Sequence, residues 1–199
     1  MRHRHHGAMA LVTTIVLGAC ERGHDRAKGD HAQGPTHRDD SMQIDRVAGV
    51  TLSSAPGGAV LGRAVFVEQG GEVHVYATVD GLTPGKHGFH VHEHGTCTAP
   101  DFESAGGHFA GDHAAHGGPA DDEHHGGDFG NLVADEQGRA TLHLVTSDIT
   151  LAAGSERSVA GRGMIVHAAE DDLQTQPSGN AGARLACGVI EVIEPSAAS

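Results

Sequence analysis

From residue 73 to residue 80, apolar and polar side chains alternate without a break. Val73, Val75, Ala77 and Val79 are set against His74, Tyr76, Thr78 and Asp80. A period of two places one set on each face of an extended strand, one face buried and the other solvated. Residues 59–69 form a β-rich run before it, and Gly70-Gly71 supplies the turn between the two. Leu82-Thr83-Pro84-Gly85 reads as a further turn, followed by an extended segment over 88–94. Leu142 and Leu144 alternate again, and residues 164–167 and 185–193 are short, apolar and β-branched. No helical period emerges. Thirty Gly and seven Pro punctuate the chain, and short strands joined by Gly-rich turns predict an all-β sandwich or barrel from about residue 42 onward. Two segments break the rhythm, 95–129 and 168–183. Both are long, polar and irregular, and loops of that length in a compact domain are either functional or disordered.

The formal net charge is −13. That argues against a nucleic-acid partner, which normally needs a basic patch to neutralise phosphates. The unusual count is 18 His, since imidazole is the commonest metal ligand.

The first residues read as an address. Arg2 and Arg4 precede a mostly apolar run over 7–17, too short for a bilayer span of about 20 residues but suited to a secretory signal. It ends in Leu17-Gly18-Ala19-Cys20, similar to a bacterial lipoprotein cleavage box in which Cys20 becomes the lipid-bearing N-terminus; an ordinary signal with an incidental Cys is the alternative. The expected division is a signal peptide over 1–19, a His-, Asp- and Gly-rich linker over 20–41 and one folded domain over 42–199. The linker has almost no bulky apolar residue with which to bury a core. It reads as a solvated tether, although His24, His31 and His37 could also collect metal. The chain is expected to be exported to a bacterial cell envelope or periplasm, anchored to a membrane by lipid.

The remaining histidines are arranged rather than scattered. In His90-Val91-His92 the side chains at i and i+2 share a strand face, so both imidazoles can face one ion. His167 ends another apolar strand and could supply a third nitrogen. The first long loop carries His108, His116, His125 and Asp128, a credible closed zinc set. Two sites drawing on one loop leave open a shared histidine.

These residues fall within a series of motifs: Gly88-Phe89-His90-Val91-His92-Glu93, Gly106-Gly107-His108-Phe109, His116-Gly117-Gly118-Pro119, His125-Gly126-Gly127-Asp128, Val166-His167-Ala168, Asp171-Asp172-Leu173 and Gly179-Asn180-Ala181-Gly182-Ala183-Arg184-Leu185-Ala186-Cys187-Gly188. In that order the chain closely resembles the copper/zinc superoxide dismutases over roughly residues 44–193. The resemblance implies a Greek-key antiparallel β-sandwich or flattened barrel with two long functional loops. It implies copper on His90, His92, His108 and His167, and zinc on His108, His116, His125 and Asp128, with His108 bridging the two. Asp171 resembles the carboxylate that links a copper histidine to a zinc histidine, here His90 and His116. Cys97 and Cys187 resemble the disulfide that ties the first long loop to the last strand. Arg184 resembles the guanidinium that docks the anionic substrate, superoxide, and His108 the residue that holds and gives up a proton during dismutation. His87 matches a structural histidine of the family. His94 and His113 fit no ligand position, His124 lacks the spacing to Asp128 that His125 has, and His74 and His143 are expected to face solvent.

The chain departs from the animal pattern. The second loop is short between Leu173 and Gly179, and neither 95–129 nor 168–183 contains Lys or Arg. Pro100-Asp101-Phe102-Glu103 stands between Cys97 and the bridging histidine. These features resemble bacterial members and leave both a homodimer and a monomer open. The alternative to a dismutase is a non-enzymatic envelope copper/zinc-binding or copper-chaperone protein.

Overall fold

The computed structural model describes residues 43–113 and 115–194. Cys20, the signal segment and the whole of the linker lie outside the described residues. Nine strands follow one another: β1 (Arg46–Ser54), β2 (Leu61–Gln69), β3 (Glu72–Asp80), β4 (Gly85–His92), β5 (Asp128–Ala134), β6 (Ala140–Thr146), β7 (Gly163–His167), β8 (Arg184–Val189) and β9 (Glu191–Val192). A single 3-10 turn, Glu103–Ala105, is the one helical element among the described residues.

The strands hydrogen-bond in the order β5-β4-β7-β8-β1-β2-β3-β6, with β9 on β1. Every pairing is antiparallel, and the chain crosses from β3, near one end of this path, to β4, near the other. The result is the all-β, nearly closed Greek-key barrel that the alternation and the resemblance predict. The alternating run on β3 pairs with β2 in the register Val65↔Tyr76 and with β6 in the register Tyr76↔His143. Val73, Val75, Ala77 and Val79 accordingly point inward and are buried. The hairpin between β2 and β3 needs two residues at positive φ, which glycine adopts without a Cβ clash. Gly70 (φ 59°) and Gly71 (φ 87°) supply them.

The core is filled by Leu52, Phe66, Val73, Val75, Phe89, Val91, Phe129, Leu132, Met164 and Val166. A smaller cluster of Phe102, Ala105, Ile165 and Cys187 lies apart from it, with Ala55 and Cys97 against it. Strand β4 is buried on both faces from His87 to His92. Phe89 and Val91 face the barrel interior, while the intervening histidines lie beneath the long loops. The second long loop, 168–183, occupies the interval between β7 and β8. The first ends two residues earlier than the sequence suggested, because Asp128 and Phe129 already belong to β5.

A third irregular stretch, 147–162, joins β6 to β7. It is seated by buried Ile149, Leu151 and Val159 and by the carboxylate of Glu68, which accepts bonds from the Thr150 hydroxyl and from Leu151 N at 3.2 Å. The apolar residues that seat it resemble strand residues in sequence.

Candidate metal centre

The barrel edge at β4 presents the histidines. Past His90, β4 loses β5 as a partner, and the first loop takes its place. Phe109 N donates to Val91 O at 2.8 Å, Glu93 N to Gly107 O at 3.0 Å and Val91 N to Gly127 O at 2.9 Å. This lays His108 beside His92 as an added bridge. His167, at the end of β7, arrives from the other side, and His87 fixes it there: His87 Nδ1 donates to His167 O at 2.8 Å.

Four rings, His90, His92, His108 and His167, bring one nitrogen each within 4.8 Å of one another, all buried. The tautomers follow from their other nitrogens. His92 Nδ1 donates to Gly106 O at 3.0 Å and His167 Nδ1 to Gly182 O at 3.2 Å. A neutral imidazole with a proton on Nδ1 has a bare lone pair on Nε2, and these two Nε2 atoms face each other at 3.3 Å. His90 places Nε2 at 2.7 Å from Asp171 Oδ2, leaving Nδ1 buried without a partner, as is Nε2 of His108. Four converging lone pairs, two of them orphaned in a buried site, fit a cation, because a buried nitrogen without a partner is otherwise costly.

His108 also belongs to a second buried group with His116, His125 and Asp128, whose donor atoms again lie within 4.8 Å of one another. His108 Nδ1 donates to Asp128 Oδ1 at 2.8 Å. His116 Nδ1 and His125 Nδ1 stand 3.0 and 3.3 Å from Asp128 Oδ2, yet neither is aligned to make a hydrogen bond. Atoms crowded round a point without bonding to one another suit a shared ion, and three nitrogens with one carboxylate match the tetrahedral donor set of zinc. Asp128 is aimed by the loop itself, Oδ2 accepting from Gly117 N at 3.1 Å and His125 N at 2.9 Å.

Asp171 joins the two groups. Oδ2 accepts from His90 Nε2, and Oδ1 accepts from His116 Nε2 at 2.9 Å. A carboxylate on the outer nitrogen fixes ring orientation and tautomer of a metal-binding histidine. The loop must pass very close to this bridge: a Cβ on Gly179 (φ +62°) would lie 1.7 Å from Asp171 Oδ1 and 2.6 Å from His116 Nε2.

Electrostatics separates the groups. Burial pushes His90 down to about 4, His92 to about 2 and His167 to about 3, so these rings stay neutral and free to ligate at physiological pH. Burial alone would also depress His116, but Asp128 and Asp171 on either side outweigh it and hold this ring up at about 9. Burial would raise both carboxyls, yet their histidine neighbours keep Asp128 and Asp171 below the ordinary carboxylate range.

The first group opens into a cavity of about 660 Å³ lined by His92, His108, His125, His167 and Arg184, with Glu93 and Glu103 at its edge and Pro177, Ser178 and Gly182 on the second-loop side. Arg184 is the one Lys or Arg lining it among the described residues. Its guanidinium donates to Phe102 O at 2.6 Å and Gly106 O at 2.7 Å, tying β8 to the first loop. Arg162 lies outside this lining, its guanidinium stacked 3.8 Å over the Phe109 ring and donating to Glu93 O. The same loop is held covalently: Cys97 and Cys187, 90 positions apart, form a disulfide. Closing a loop of that length restricts the unfolded chain by about 4–5 kcal/mol in the chain-entropy picture.

His125 rather than His124 enters the second group. His124, although buried, is engaged elsewhere, Nδ1 donating to Asp121 O at 2.9 Å and Nε2 lying 3.3 Å from Asp148. His94 is exposed, His113 stacks on His124, and His74 and His143 stack with Tyr76 on the outer face of β3 and β6. Two residues that position the site gave no sign in the sequence. Asn131 clamps the backbone of Asp171, and Gln176 clamps that of His116.

The edge of this antiparallel barrel thus carries two histidine-rich donor sets with one ring in common, each with the geometry to hold a metal ion. Residues 60–190 match the family described as copper/zinc superoxide dismutase (SODC), and the chain belongs to that family, whose members bind copper and zinc. It is also similar to the protein named copper chaperone for superoxide dismutase. The Rattus norvegicus protein is 38% identical over 157 residues, covering 75% of this chain and 55% of the relative. The Mus musculus protein is 39% identical over 157 residues, with the same shares. The chain thus spans about half the length of the curated relatives it matches.

Proposed function

We propose that this chain dismutates superoxide to dioxygen and hydrogen peroxide, with copper held by His90, His92, His108 and His167 and zinc by His108, His116, His125 and Asp128. The observation that carries the reading is His108: one ring serves both donor sets, with Nε2 orphaned on one side and Nδ1 facing Asp128 on the other. When bound, copper supplies one-electron redox chemistry, and zinc holds its ligands without changing oxidation state. The chain's own residues do the rest. His108 Nε2, at the cavity wall, is the atom at which a proton is held and given up to the reduced product. Arg184 offers its guanidinium to the anion where the cavity meets β8. Asp171 keeps His90 and His116 presenting Nδ1, and the Gly106 and Gly182 carbonyls keep His92 and His167 presenting Nε2. Lipidation at Cys20 and a place in the cell envelope belong to the same reading and rest on the first twenty residues.

A second reading, copper storage or transfer without turnover, is favoured by the names of the relatives. Superoxide consumption by the chain loaded with copper and zinc, each metal counted per chain, separates the two. Turnover proportional to copper content supports the dismutase. Full loading of both groups without turnover supports the second reading.

A further inference from the structure

In the proposed dismutation the second long loop carries Asp171 and the Gly182 carbonyl to the histidines. Its geometry does more. Gln176 faces the backbone of His116 and satisfies it in both directions: His116 N donates to Gln176 Oε1 at 2.8 Å, and Gln176 Nε2 donates to His116 O at 2.7 Å, with a longer contact to Gln174 O at 3.4 Å. The two residues lie 60 positions apart in sequence. Three residues on, Gly179 packs against the His116 ring so closely that a Cβ would meet Nε2 at 2.6 Å. The loop therefore grips His116 by backbone and by ring. The residues between these two grips, Pro177 and Ser178, form part of the cavity wall beside His92, His167 and Arg184. The turn is internally tied, Gly179 N donating to Thr175 O at 2.6 Å and Asp172 N to Gly179 O at 2.8 Å. A displacement at Gln176 is thus carried to Ser178.

We infer that Gln176 is a positioning residue that couples the second donor group to the wall of the substrate cavity. Filling of the group by zinc fixes His116, His116 fixes Gln176, and Gln176 fixes Pro177 and Ser178. This rests on the reading of that group as the zinc site. Partners that orient a ligand typically change metal affinity by about 10–100-fold when removed. An amide acting on the ligand's main chain belongs to that class here because it determines where the ring enters the cluster.

The experiment uses the full chain loaded with copper and zinc, as wild type, Gln176→Ala and Gln176→Met. Met fills nearly the same volume without either polar end. Zinc release to a chromogenic chelator, copper retention, the melting temperature of the metal-free chain and amide exchange at Gly179 and Ala181 are measured. The expected result is zinc release about tenfold faster or more in both variants, with copper content unchanged and a metal-free melting temperature lowered by a few degrees, because His116 N and O lose their partners. Zinc loading should slow exchange at Gly179 and Ala181 in the wild type and not in the variants. Release at the wild-type rate, a Met variant indistinguishable from wild type, or equal loss of both metals would overturn the coupling. A wild-type chain that takes up no zinc would overturn the reading of the site as well, so the two failures are distinct.

Discussion

Asn131 holds both main-chain polar groups of Asp171: Asn131 Nδ2 donates to Asp171 O at 2.8 Å, and Asp171 N donates to Asn131 Oδ1 at 2.8 Å. Asn131 lies on β5, a rigid strand, and Asp171 on a loop. The carboxylate that links His90 to His116 therefore takes its position from the barrel.

Asn131→Ala should cost about 1–3 kcal/mol, because two backbone groups of a partly buried loop lose their partners. For a folded domain of this size that is a fall of several degrees in melting temperature. Because Asp171 spans both groups, copper and zinc retention should fall together. Calorimetry and metal counts check this, and Asn131→Asp, which keeps the acceptor and loses the donor, should lie between the two.

The metal-free chain should show a stability maximum near pH 6.5. His90, His92 and His167 have folded values of about 4, 2 and 3, below the ordinary 6.5. The unfolded chain then binds protons that the folded chain refuses, so their contribution is full above pH 6.5 and is lost as pH falls toward 4 and below. His116 acts in the opposite sense. Its folded value of about 9 gives a contribution that is full below pH 6.5 and lost as pH rises through 9. Melting temperatures of the metal-free protein from pH 4 to 9.5 should fall on both sides of the maximum, and a flat acid limb would contradict the burial of the three rings.

What the sequence made legible and what it hid differ for physical reasons. The β2–β3 hairpin could be read because Val73, Val75, Ala77 and Val79 report a one-sided burial and Gly70-Gly71 a tight turn. That these histidines and Asp128 would gather could be read because metal chemistry needs particular side chains, His and Asp, at spacings a strand and a loop can bring together, and the fold does bring them into two groups. The stretch 147–162 could not, because Ile149, Leu151 and Val159 bury to seat a loop as they would to build a strand. Asn131 and Gln176 act on main-chain atoms, and an amide that serves a distant peptide group has no local pattern to announce it.

Arg184 is the test of how the anion arrives. Net charge opposes an anionic substrate, Glu93 and Glu103 stand at the cavity, and Arg184 is the one cation lining it among the described residues. Arg184→Ala should lower kcat/KM for superoxide on the order of tenfold or more, equivalent to about 1.4 kcal/mol. Arg184→Lys should lose less, keeping the charge without the planar fork that holds the Phe102 and Gly106 carbonyls. Salt should slow the wild type only slightly as the Debye length shrinks from about 30 Å at 0.01 M to about 10 Å at 0.1 M. A steep salt dependence that survives in Arg184→Ala would assign the steering to other cations.

The shared ring is the centre of the account, and His108→Ala beside His116→Ala tests it most directly, with copper and zinc counted per chain and superoxide turnover measured on the same samples. The account predicts that His108→Ala loses nearly all turnover and also loosens zinc, whereas His116→Ala mainly loses zinc and retains copper. A His108→Ala protein that keeps both metals and turns over superoxide at close to the wild-type rate would contradict it.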